Sequence, residues 1–282
     1  MRTTRSRFIA PLLAVGAATV LTMGTALTAG AQAPGESTLD RIIASGVLKF
    51  GVPVAGLPVA AKDEAGDVVG VIPDMAAEMA RALSGPDTPD AVRLEIVDTP
   101  GPDRIPFIQA GKIDVSVGTV TLQRALVVGF TDIWAVDGTA AIVLKSSGIT
   151  DYSGITGKRV AVVTGATGDL VATEQFPDNE FQRVDLASTA LQAVTSGQAD
   201  IVFDDYTFLA LAASENPDLL LLPAVSVEPS GLMAPIGDQV WINWLNYFIH
   251  DYYSSGVSTC GCGTEKLAEW FKAEPLPLTW DY

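Results

Sequence analysis

The sequence predicts an α/β protein of two lobes built alike, with a cleft between them. Three observations carry this. Short apolar, strand-like runs alternate with helical patterns along the chain. The same helix-to-strand link, Gly-x-x-Asp, occurs at Gly111–Asp114 and again at Gly197–Asp200. Finally, 282 residues give room for two domains of ordinary size.

The chain opens with Arg2, Arg5 and Arg7, then an apolar stretch from Phe8 to about Leu27, then Ala31-Gln32-Ala33. That order fits a cleavable secretory signal over residues 1–33 better than an anchor helix, and no Cys follows the site to carry a lipid. The mature protein is therefore expected to be exported and soluble. Removing those three arginines leaves 14 basic residues against 33 acidic, a formal net of −19. Such a surface repels phosphate backbones and anionic headgroups, which argues against nucleic acid and membrane surfaces as partners.

Gly46 to Val52 reads as a buried strand by its apolar run and its glycine bounds. Asp63 to Gly66 reads as a hairpin turn, and Val68 to Ile72 as the returning segment. Pro73 then suits the first position of a helix whose Met75, Met79 and Leu83 share one face. Gly85-Pro86 ends it, and Val92 to Val97 alternates as a second strand. Pro106 to Ala110 has helical period and is closed by Gly111. Ile113, Val115 and Val117 then alternate with Asp114 and Ser116 as a strand, at whose end stand Gly118, Thr119, Thr121 and Arg124. The carboxyl edge of a strand is where open α/β sheets bind small ligands, and a guanidinium matches a carboxylate with two parallel hydrogen bonds.

Ala140 to Leu144 reads as a strand, and Lys145 to Gly148 as the crossing into the second lobe. There the construction begins again. Gly157 to Val163 is a strand, Gly165-Ala166-Thr167-Gly168 a tight loop, and Asp169 to Phe176 a helix. No Gly-Lys-Ser/Thr follows the loop, so it is not a P-loop, and the three-glycine dinucleotide fingerprint is incomplete. A helix N-terminus still favours an anion, because its N–H groups are unpaired and its dipole is positive. Ser188 to Ser196 is a helix closed by Gly197, and Ile201 to Phe203 a strand ending in Asp204-Asp205. Leu219 to Val227 is expected to carry the chain back, and Gln239 to Tyr253 to form an aromatic-rich helix. Cys260 and Cys262, the only cysteines, can pair in a small ring or stay free in an oxidising compartment. Two Cys with no His nearby are too few for zinc, and the single His250 suits packing or the surface. Neither a metal nor a cofactor is expected.

Thr119-x-Thr121-x-x-Arg124, followed by Phe130-Thr131, resembles the T-x-T-x-x-R…F-[ST] signature of the amino-acid class of periplasmic solute-binding proteins. Gly46-x-Leu48-x-x-Gly51-Val52, Gly70 to Asp74, Gly165 to Gly168, Gly197 to Asp205, Trp241-x-x-Trp244-x-Asn246 and Lys266 to Phe271 follow in the family's order, so the resemblance spans about residues 40–272. It implies the type II periplasmic-binding fold, each lobe a mixed sheet flanked by helices. Lobe one would hold 38–143 plus the return segment 229–282, and lobe two 144–228. It implies a non-enzymatic, monomeric binding protein in the periplasm that delivers an amino-acid-like zwitterion to an ABC transporter permease in the inner membrane. Thr119, Thr121, Arg124 and Thr167 would hold the carboxylate and Asp205 the ammonium, with Trp134 as a side-chain wall. Two departures stand out: the first lobe has Val59 and Val71 where the family usually has aromatic residues, and the Cys-Gly-Cys segment has no family counterpart. Two other functions fit the same fold: an exported dehydratase of the cyclohexadienyl or arogenate type, and a receptor for a membrane sensor. The dehydratase needs an acid or base in the cleft, and Asp204 is the spare candidate.

Overall fold

In a computed structural model the described residues are 36–88 and 90–271. The expected signal segment, residues 1–33, and the last residues, 272–282, lie outside them.

The chain enters through α1 (Thr38–Ser45), where Ser37 and Asp40 cap each other's backbone reciprocally. β1 (Val47–Val52) follows, then the small hairpin β2 (Ala61–Lys62) and β3 (Val68–Val69). α2 (Val71–Ser84) buries Met75, Met79 and Leu83, the face expected from their spacing. It starts two residues earlier than Pro73 suggested. Proline is still tolerated there, because N–H groups of the first turn have no partner within the helix. β4 (Arg93–Asp98), α3 (Arg104–Gln109), β5 (Val115–Thr119), the single turn α4 (Leu122–Ala125), β6 (Gly129–Phe130) and β7 (Ala135–Asp137) complete the first pass.

The second lobe contains β8 (Thr139–Leu144), β9 (Arg159–Val163), α5 (Thr167–Gln175), β10 (Glu180–Val184), α6 (Ala187–Thr195), β11 (Ile201–Asp205), α7 (Tyr206–Glu215) and β12 (Leu219–Leu222). The chain then returns as β13 (Glu228–Ala234), α8 (Gln239–His250) and α9 (Gly263–Phe271). Cys260 and Cys262 form a disulfide in the turn before α9.

The first sheet runs β4-β1-β5-β13-β6, with β7 paired to β13; the second runs β10-β9-β11-β8-β12. In each, three strands are parallel and the others join antiparallel, β13 in the first sheet and β8 with β12 in the second, so both sheets are mixed. This corrects one boundary. The run 140–144 was expected to close the first lobe, yet β8 pairs with β11 and β12 of the second sheet. The outward crossing is therefore at Gly138, and Lys145–Ser147 is only a 3₁₀ turn beyond it. An apolar run shows that a strand is buried; it does not show in which sheet. Likewise Leu219–Leu222 stays in the second sheet, and the return crossing falls between it and Glu228.

The two crossings lie side by side. Thr139 N donates to Ser226 Oγ at 2.8 Å, and a methyl on Gly138 would come within 2.3 Å of Ser226 O. The repeated Gly-x-x-Asp link also has a physical cause. Asp114 accepts from Lys49 N of β1 at 2.8 Å and from Arg41, while Asp200 accepts from Arg159 N of β9 at 2.9 Å and from the Arg159 guanidinium. In both lobes an aspartate at the foot of one strand ties down the neighbouring strand.

Candidate functional site

A cavity of about 650 Å³ lies between the lobes. Its walls include Val54 just past β1, Asp98 at the end of β4, Thr119 at the end of β5, Val163 at the end of β9, Asp185 just past β10 and Asp205 at the end of β11. The parallel strands of both sheets thus aim their carboxyl ends into one space, the position where open α/β sheets leave backbone groups and loops free for a ligand.

Of the six residues singled out from the sequence, Thr119, Trp134, Thr167 and Asp205 line this cavity. The lobes meet at the two threonines, whose hydroxyls are 3.3 Å apart. Thr167 is the first residue of α5, which packs directly on the end of β11. A methyl on Gly168 would stand 3.1 Å from Phe203 O, so glycine lets this helix start close to the strand without displacing it. Ala166 at its cap offers no side-chain oxygen. The first-turn Asp169 bonds Gly165 N at 3.1 Å and pairs with Arg183, which holds its carboxyl below the usual range despite partial burial.

Arg124 and Thr121 stand behind this wall. Thr121 Oγ1 caps α4 by accepting from Arg124 N at 3.2 Å, and Arg124 Nη1 donates to Thr119 O at 3.0 Å. A second guanidinium reaches the cavity wall itself. Arg104 donates Nη1 to Val117 O at 2.9 Å, two residues earlier on the same strand. Two cations therefore flank the end of β5, and neither meets a carboxylate at ion-pair distance among the described residues. Burial, with Arg124 nearby, lowers Arg104 to about 10, opposed by Asp205; burial also lowers Arg124, opposed by Glu228 and Asp205. Both remain charged at neutral pH. Arg104 escaped the sequence reading because it sits among Gly101, Pro102, Asp103 and Pro106 without strand or helix spacing. A lone charge ahead of an apolar turn was the one available signal.

Acids gather at the crossings. Asp137, the last residue of β7, accepts from Thr207 N at 3.2 Å, from Thr207 Oγ1 and from Gly138 N at 2.8 Å. Asp204 accepts from Asp205 N at 2.8 Å through one oxygen, while its other oxygen is buried without a partner among the described residues. Glu228 accepts from the hydroxyls of Thr139 and Ser226. Burial raises Asp137 to about 6 and Asp204 to about 7, with mutual repulsion adding to it, and raises Asp205 well above the carboxylate range.

A further stretch of wall joins Trp134 of the first pass to the return segment. Trp134 is buried and stacks on Tyr253, ring centroids 6.2 Å apart. Leu267 and Phe271 of α9 also line the cavity. α9 is fastened to α2 by Trp270 Nε1 donating to Asp74 at 2.9 Å and by Lys266 at 3.3 Å from the same carboxylate. The wall that the first-lobe loop leaves without aromatics is thus supplied partly from the chain's far end.

Residues 48–259 match the sequence profile of the bacterial extracellular solute-binding proteins, family 3. The general L-amino acid-binding periplasmic protein AapJ of Rhizobium johnstonii is 26% identical over 247 residues, covering 82% of this chain and 71% of its own. The glutamate/aspartate import solute-binding protein of Salmonella typhimurium is 28% identical over 262 residues, covering 88% and 83%. Among solved structures, a mutant of ArgBP from T. maritima superimposes with a TM-score of 0.74 at 29% identity, covering 84% of this chain and all of that one.

Proposed function

Because the chain belongs to the bacterial extracellular solute-binding proteins, family 3, we propose that it captures a small amino-acid-like zwitterion between its lobes and delivers it to an ABC importer. The observation that carries this is the placement of basic and acidic groups on opposite sides of the cleft: Arg104 and Arg124 beside Thr119 on the first lobe, and Asp205 on the second. The carboxylate is held by Thr119, by Thr167 at the N-terminus of α5 and by the Arg104 guanidinium, with Arg124 adding its charge from behind Thr119, and Thr121 sets the turn that carries Arg124. Asp205 receives the ammonium, and Trp134 with Tyr253 walls the side chain. A zwitterion engages both lobes only when they are shut, so its differential affinity for the shut form drives closure.

The mature protein works as a periplasmic monomer, released by cleavage of residues 1–33 without a lipid anchor, and docks on a permease in the inner membrane. The ligands named for its relatives set the first compounds to try: glutamate, glutamine, aspartate and arginine. A thermal-shift screen of the L-amino acids tests the reading. A compound at 100 times its Kd adds about 2.7 kcal/mol to stability, a clear upward shift in Tm. If no amino acid raises Tm, the proposed function is wrong.

A further inference from the structure

We propose that the carboxyl pair Asp204–Asp205 forms a proton-exchange subsite, which holds a proton when no ligand is bound and surrenders it when a primary ammonium enters, so that ligand capture releases protons. This rests on the amino-acid-binding reading above and adds Asp204, which that reading leaves without a role.

The geometry comes first. Asp204 is buried, 8% exposed, and one of its oxygens has no hydrogen-bond partner among the described residues. A bare carboxylate in that position forfeits its hydration and gains only the one bond from Asp205 N; a protonated one loses far less. Asp205 follows it on β11 and lines the same cavity, and no hydrogen bond or ion pair holds its side chain among the described residues. The groups around the pair add to the pressure. Asp137 of β7 and Glu228 of β13 are acidic and repel it; Thr207 of α7 and Thr139 of β8 spend their hydroxyls on Asp137 and Glu228. Arg104 ahead of β5 and Arg124 on α4 are the opposing charges, and both stay beyond ion-pair distance. Burial first, and then this crowding of like charges, raises the titration of Asp137, Asp204 and Asp205, and like charges so placed do not all ionise together.

An ammonium at Asp205 changes the balance. It supplies the missing cation, favours the charged form of the pair, and lets a carboxyl O–H bond break with the proton passing to solvent. The ligand stays R–NH₃⁺ throughout, and the net exchange is one cation for one proton. By linkage, an exchange of roughly one proton makes affinity fall about tenfold for each unit of pH below the titration range of the pair.

Isothermal titration calorimetry at pH 7 tests this. The titrant is whichever of the twenty L-amino acids gives the largest thermal shift, run in phosphate and in Tris, which differ widely in ionisation enthalpy. The buffer dependence of the heat should report roughly one proton released per amino acid bound. The same acid lacking its amino group should bind without release, and Asp204→Asn should release markedly fewer protons per molecule bound. Wild-type protein that binds an amino acid without releasing protons overturns the proposal while leaving the proposed function standing. Equal release with the amino-free acid, or undiminished release in Asp204→Asn, also overturns it. Failure of every amino acid to bind overturns the proposed function itself.

Discussion

Thr119 and Thr167 place their hydroxyls 3.3 Å apart, one at the end of β5 in the first lobe and the other at the start of α5 in the second. Both oxygens are thereby positioned for one acceptor. Thr167→Val keeps the shape and removes one donor, so binding of a carboxylate ligand should weaken by about 1.5–3 kcal/mol, the range for one hydrogen bond to a charged group. Calorimetry measures it; unchanged affinity would reduce the Gly165–Gly168 loop to a turn with no part in binding.

Arg104 lines the cavity, whereas Arg124 braces Thr119 from behind. Arg104→Ala and Arg124→Ala should each cost about 2–5 kcal/mol of affinity for a carboxylate ligand, because each leaves a buried charge short of its partner. Arg104→Lys should recover only part, since a point charge does not reproduce the planar fork. Should Arg124→Ala bind within threefold of wild type, Arg104 alone carries the positive end.

The acids at the crossings set a pH dependence of stability. Asp137 and Asp204, raised to about 6 and about 7, keep protons in the native state that the unfolded chain releases near pH 4. The native state therefore binds more protons across that window, and this part of stability is complete at its lower end and lost as pH rises through about 7. Asp169 and Asp200, lowered by their arginines, act in the opposite sense, but only below about pH 4. The ligand-free Tm should fall between about pH 5 and 8, and Asp204→Asn should flatten the decline. A Tm that climbs over this range would contradict the assignment.

Tyr253 carries a buried hydroxyl without a partner among the described residues, so Tyr253→Phe removes a polar group that gains nothing from them. Chemical denaturation without ligand should show stability unchanged or higher by up to about 1 kcal/mol. A loss beyond that would mean the hydroxyl is bonded in solution.

The two aspartates of the repeated link should differ in weight. The Asp114 carboxylate is fully buried, so Asp114→Ala leaves Lys49 N without its acceptor, loses the Arg41 pair and should cost about 1–3 kcal/mol. Asp200 and Arg159 are more exposed, at 31% and 47%, so the charge pair lost in Asp200→Ala is worth at most about 1 kcal/mol. Urea midpoints of the two variants give the comparison, and equal losses would refute the burial argument.

That repeated link was also the clearest fold signal in the sequence, because Gly-x-x-Asp encodes a local bond between neighbouring strands. The strand-end residues Thr119, Thr167 and Asp205 were legible for a related reason, since their place follows from the strand or helix that delivers them. Arg104, Asp137 and Tyr253 were not. Each reaches the cavity through tertiary placement, Arg104 by folding back onto Val117 and Tyr253 by the return of the chain's end onto the first lobe. The sheet to which β8 belongs was equally hidden, as its apolar run suits either core.

Strand order has one more consequence, and it concerns the ribosome. The second sheet has all its strands once residue 222 has emerged, whereas the first waits for β13, an interior strand between β5 and β6 that begins only at Glu228. During synthesis the half begun first is thus the half finished last. Until β13 arrives, the inner edge of β5 stays unpaired, an open strand edge of the kind that recruits other chains. A released chain truncated after residue 222 should resist protease across 139–222 and remain cleavable within 47–119.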